Sequence, residues 1–145
     1  MVVCKKMLNF INVIETNTAL VDLIEDDVLR IEFKEDCYIT VPDFEENLQA
    51  YRKKMKTDKV YLLTVANAGA EPSPEVRAIY SSRHRSEFKI AEAFVISSFA
   101  QRILANFVIK VQPPHHPLKF FSTEEEAKAW LYAQRKKIAD PEKTA

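Results

Sequence analysis

The stretch from Lys89 to Ile138 most constrains the fold, because it reads strand, helix, strand, helix with little connecting sequence between the elements. Ala91-Glu92-Ala93-Phe94-Val95-Ile96-Ser97 has the near-continuous apolar character of a strand covered on both faces. Ser98 opens a helix that reaches about Gln112, and Pro113-Pro114-His115-His116-Pro117 forms a rigid connector. Leu118-Lys119-Phe120-Phe121 is a short strand, and Ser122-Thr123-Glu124-Glu125 caps a last helix through Trp130-Leu131.

The upstream chain extends this alternation. Met7 to Ile14 is loosely patterned and fits either a strand or a short helix. Ala19 to Glu25 and Val28 to Lys34 flank the turn signal Glu25-Asp26-Asp27 and read as an antiparallel hairpin. In its second strand Leu29, Ile31 and Phe33 share one face, with Arg30, Glu32 and Lys34 on the other. Cys37 to Val41 is a short extended piece. A helix is predicted from about Asp43 to Lys56, with Asp43 and Glu46 as a capping box and Phe44, Leu48, Tyr51 and Met55 as its buried stripe. Lys59 to Ala66 is an apolar strand. Ser73-Pro74-Glu75 starts another helix, running to about Ser86 and burying Val76, Ile79 and Tyr80. The order predicts an α/β domain with a mostly parallel sheet started by an antiparallel hairpin, and about four helices. Residues 7–139 form this single domain, between a flexible N-terminus (1–6) and a flexible tail (140–145).

Composition removes several functions. Acidic and basic residues balance at 21 each, so no global field favours nucleic acid or an anionic membrane. The one glycine, Gly69, leaves no means of writing a P-loop or a dinucleotide-binding turn, both of which need several glycines for close approach to phosphate. No apolar run approaches the length of a membrane span, and Met1 to Lys6 lacks a signal-peptide core, so a cytoplasmic location is expected. Cys4 and Cys37 make no framework and are read as free thiols. Neither has an identifiable base, no Gly-x-Ser-x-Gly elbow exists, and no cofactor is implied.

The motifs of the C-terminal part resemble those of the SpoIIAA-like family, small bacterial domains of STAS/SEC14 type. They are the Ala91 to Ser97 strand, Gln101-Arg102-Ile103-Leu104-Ala105-Asn106-Phe107, the Pro-Pro-x-x-Pro connector, Lys119-Phe120-Phe121 and Glu126-Ala127-x-x-Trp130-Leu131. Ser73-Pro74-Glu75-x-Arg77 is similar too, and the resemblance spans roughly residues 18 to 135. It implies a non-enzymatic regulatory or protein-interaction module; the alternative it implies is an apolar-ligand or lipid carrier of SEC14 type. STAS domains that resemble anti-anti-sigma factors are switched at a serine in Asp-x-Ser-Gly. Here the corresponding loop is Asn67-Ala68-Gly69-Ala70-Glu71-Pro72-Ser73-Pro74, without that motif.

Two sets of candidate residues remain. Ser73 at a helix start, with Arg77 one turn on, is a candidate anion or phosphorylation site, set against plain capping. On the helix after Ser98, Ile103, Leu104, Phe107, Val108 and Val111 form the core face, and Gln101, Arg102, Asn106 and Lys110 the polar one. Ile109 falls among the polar residues and Phe99 at the boundary, marking a candidate dimer seam, partner interface or mouth of a ligand pocket. His115 and His116, adjacent in extended chain, point apart; they are read as exposed loop residues and no metal is expected. Arg77, Arg83, His84, Arg85 and Lys89 are read as a solvated basic face, and Trp130, Leu131, Ala127, Gln134 and Ile138 as a core stripe.

Overall fold

The computed structural model describes residues 12–80, 87–111 and 115–139; the side chains of Tyr80, Ala100, Leu104, Phe107, Val108, Ile109, Val111 and Ala139 lie outside the described set. Strands β1 (Ile14–Glu15), β2 (Ala19–Glu25), β3 (Val28–Phe33), β5 (Val60–Ala66), β7 (Lys89–Ile96) and β8 (Leu118–Phe121) form one sheet in the order β1-β2-β3-β5-β7-β8. The first three pair antiparallel and the remaining junctions are parallel. A second, two-stranded sheet pairs β4 (Tyr38–Ile39) with β6 (Glu71–Pro72). The helices are α1 (Val41–Lys54), α2 (Pro74–Tyr80), α3 (Phe99–Val111) and α4 (Glu124–Ala139).

Each parallel junction is bridged by one helix and steps one way along the sheet. The right-handed sense of such crossovers puts α1, α2 and α3 on one face. That face carries Leu29, Ile31, Leu62, Phe44, Leu48 and Val76. The opposite face packs Val28, Leu63, Ala91, Ala93 and Val95 against Ala127 and Leu131 of α4. Both faces of the central strands are covered, which explains the unbroken apolar run Val60-Tyr61-Leu62-Leu63-Thr64-Val65. It also explains Arg30, read as an outward residue of the hairpin: it reaches across to ion pairs with Glu124 at the start of α4 and with Glu32.

Helix α1 begins earlier than Asp43. Thr40 is its N-cap, and the Asp43 carboxylate accepts hydrogen bonds from the Thr40 N–H (3.0 Å) and hydroxyl (2.8 Å). Asp43 is thus the third residue of the capping box rather than the cap, and Pro42 sits in the first turn, where its missing N–H has no partner to lose. Burial pushes the Asp43 carboxyl up, but the hydrogen bond from the Asn17 amide (3.0 Å) and those from Thr40 outweigh it and hold the group below the usual range. Ile138, expected in the core stripe of α4, is 55% exposed; it lies beyond Arg135, whose guanidinium holds the helix to Glu25 and Asp27 of the hairpin. The sole glycine is required where it stands: Gly69 has φ 77°, and a Cβ there would lie 2.1 Å from Asp36 Oδ1.

Candidate functional site

Two features of the α3 side of the molecule stand out. The first is a buried polar cluster on β7. A β-bulge builds it: Val60 pairs with Lys89 but Tyr61 pairs with Ala91, so Ile90 is the extra residue. Without the bulge Lys89 and Glu92, three apart in a strand, would point to opposite faces. With it, both point to the face of α1 to α3. Lys89 Nζ lies 3.0 Å from Glu92 Oε1, and the two side chains are 6% and 3% exposed. The Thr64 hydroxyl, from the neighbouring strand, donates to the other carboxylate oxygen at 3.0 Å.

His116 completes the cluster. Its side chain is 9% exposed, with Nε2 3.5 Å from Glu92 Oε1, and among the described residues neither buried ring nitrogen has a hydrogen-bond partner. The expectation that both connector histidines face solvent therefore holds for His115 alone; His116 is turned in by the bond from the Glu92 N–H to the Pro117 carbonyl (2.8 Å), which lays the connector on β7. Lys89 likewise leaves the solvated basic face to which it was assigned, because the bulge turns it inward.

Burial pushes the Glu92 carboxyl upward, but the Lys89 charge and the contact with His116 outweigh that and bring it down to about 2. A carboxylate so strongly held in its ionised form is a poor proton acceptor at neutral pH. Lys89 and Glu92 form a buried ion pair in which both carboxylate oxygens have partners. Among the described residues no group of three or more metal-ligating side chains occurs.

The second feature is α3 itself. The Ser98 Oγ accepts from the Gln101 N–H at 3.3 Å, as a cap should. Ile103, placed on the core face by the sequence, is instead 54% exposed, and Phe99 is 70% exposed. They stand one turn apart and form one apolar strip. Two polar side chains instead hold the helix to the sheet. Arg102 donates to the carbonyls of Ile96 (2.7 Å) and Ser97 (3.0 Å) at the end of β7, and its guanidinium lies 5.7 Å from the Phe99 ring. Asn106 bonds both backbone groups of Phe120, accepting from its N–H (3.3 Å) and donating to its carbonyl (3.5 Å). The carboxamide thereby takes the place of a neighbouring strand at the free edge of β8. Polar residues assigned to solvent thus anchor the helix, and Phe99 and Ile103 are left outside.

The remaining candidates separate. Ser73 is buried, and its Oγ accepts from the Val76 N–H at 3.2 Å, a cap bond. Arg77 is exposed on α2 and donates its backbone N–H to the Ser73 carbonyl. Ile109 belongs to α3, but its side chain lies outside the described residues, as do Arg83, His84, Arg85 and Cys4. Cys37 is half-buried, and burial raises its thiol pKa. A cleft of about 290 Å³ lies away from α3, between the end of α1 and Phe88, with a partly charged lining.

Comparison with known proteins agrees with this architecture. Residues 23–135 match the family described as Domain of unknown function (DUF7793). The chain belongs to this family. Among solved structures it is similar to an uncharacterized protein of the DUF3478 family with a SpoIIAA-like fold, from Shewanella loihica PV-4, at 16% identity and a TM-score of 0.54 over 81% of this chain and 98% of that one. The match covers nearly the whole domain and makes the fold SpoIIAA-like, as the C-terminal motifs led one to expect. No curated protein matches the chain. No helix among the described residues is long and apolar enough to cross a membrane.

Proposed function

We propose that this DUF7793 domain is a non-enzymatic regulatory module that binds a protein partner through α3. The supporting observation is the pair Phe99 and Ile103, 70% and 54% exposed on adjacent turns of a helix that is otherwise tied down by its polar residues. Scattered apolar residues on a surface carry no message, but two large ones stacked on one helical turn make a contiguous strip that an amphipathic or apolar partner surface can cover. The alternative, a carrier holding an apolar ligand or lipid between the sheet and α3, uses the same apolar helix from its inner side.

The test compares the wild-type chain with Phe99→Ser/Ile103→Ser, each affinity-tagged in the native host. Both should melt at the same temperature, since the substituted side chains are largely in water. The wild-type chain should retain a stoichiometric protein, another copy included, that the variant releases. Equal recovery by both would overturn the reading, and a lipid bound to the purified wild-type chain in native mass spectrometry would favour the carrier.

A further inference from the structure

We infer that the cleft at the C-terminal end of α1 is a binding site for a single free apolar amino acid, held as its zwitterion. The cleft measures about 290 Å³. That is the lower end of the range of small-molecule sites and is large enough for one amino acid. Its floor is apolar: Leu48 from α1, Met55 at the helix end and Phe88 just before β7. The Phe88 ring lies 6.0 Å from that of Tyr51, which fixes the inner wall.

The rim carries charge of both signs. Arg52 stands on the last turns of α1, Asp58 on the connection to β5 and Glu87 next to Phe88, all three exposed. Among the described residues none of the three makes an ion pair or side-chain hydrogen bond, although they border one cleft. Their neighbours do: Lys54 pairs with Asp22 at 3.7 Å, Lys56 with Asp26 at 3.3 Å and Lys89 with Glu92 at 3.0 Å. A guanidinium offers a forked donor pair to an α-carboxylate. Two carboxylates, aided by the negative end of α1, offer acceptors to an α-ammonium. An apolar side chain then lies on Leu48, Met55 and Phe88. A plain fatty acid would meet two repelling carboxylates and a plain amine would meet Arg52, whereas a ligand with both charges matches the rim.

Isothermal titration calorimetry of the full chain with L-leucine, L-methionine and L-phenylalanine tests this. At least one should bind saturably. For that amino acid the N-acetyl derivative, which lacks the ammonium, and the amide, which lacks the carboxylate, should each bind at least tenfold more weakly. Arg52→Gln and Asp58→Asn/Glu87→Gln should each weaken it at least tenfold without shifting the melting temperature, and backbone amide shifts on titration should centre on Met55, Glu87 and Phe88. No saturable binding at millimolar concentration, equal binding of either derivative, or unchanged affinity in both variants would overturn the inference.

Discussion

Replacing Glu92 by glutamine removes one charge and almost no volume, and leaves the Lys89 ammonium 6% exposed with its carboxylate gone. Two estimates of the cost agree. Breaking a buried ion pair by removing one partner costs about 3–5 kcal/mol, because the surviving charge has lost its compensation. Independently, a carboxyl brought from 4.5 to about 2 on folding carries about 3 kcal/mol of linked stability at neutral pH. Against a typical total of about 5–15 kcal/mol this is a large share. The assay is urea unfolding followed by circular dichroism. Glu92→Gln should lose about 3 kcal/mol with its m-value unchanged, and about 6–12 °C in Tm at roughly 2–4 °C per kcal/mol. Lys89→Met should lose a similar amount. The double variant should lose clearly less than the sum, because each single loss already includes the attraction between the two charges. Additive losses, or a Glu92→Gln variant within about 0.5 kcal/mol of the parent, would refute the reasoning.

Three further outcomes follow from the same geometry. The folded carboxyl of Glu92 lies below its unfolded value, so its contribution is fully present above pH 4.5 and is lost as pH falls towards about 2; urea midpoints should decline through this window more steeply in the parent than in Glu92→Gln. Gly69→Ala should cost about 1–3 kcal/mol, since φ 77° is strained for alanine and the new Cβ meets Asp36; a neutral result in thermal melts would contradict the left-handed turn. Asn106→Ala removes two long hydrogen bonds to Phe120 and should cost about 1 kcal/mol. It should also bare the β8 edge, so concentration-dependent light scattering should rise.

The fold was legible where one periodicity dominates. Leu29, Ile31 and Phe33 alternate, Val60 to Val65 is unbroken, and Ser98 and Thr123 precede apolar helices as caps. It was less legible where two signals compete. Thr40 and Asp43 stand three apart and either can open a helix; the position of Pro42 decides for Thr40. In α3 apolar residues occur almost all round, so angle alone does not choose the buried side, and the choice was made by Arg102 and Asn106 finding backbone partners on β7 and β8. The buried cluster was hidden for a different reason. A single glutamate within Ile90-Ala91-Glu92-Ala93-Phe94 was the one available signal. Its pairing with Lys89 depends on the bulge at Ile90 and its contact with His116 on the path of a proline-rich connector; neither is local.

The exposed strip of α3, Phe99 and Ile103, is the proposed partner face. The direct measurement is photocross-linking in the native host, with a photoreactive residue placed in turn at Phe99, Ile103 and, as a control on the opposite side of the sheet, Glu125. Positions 99 and 103 should give the same discrete protein adduct and position 125 none. Adducts of equal yield at all three positions, or none at 99 and 103, would contradict it.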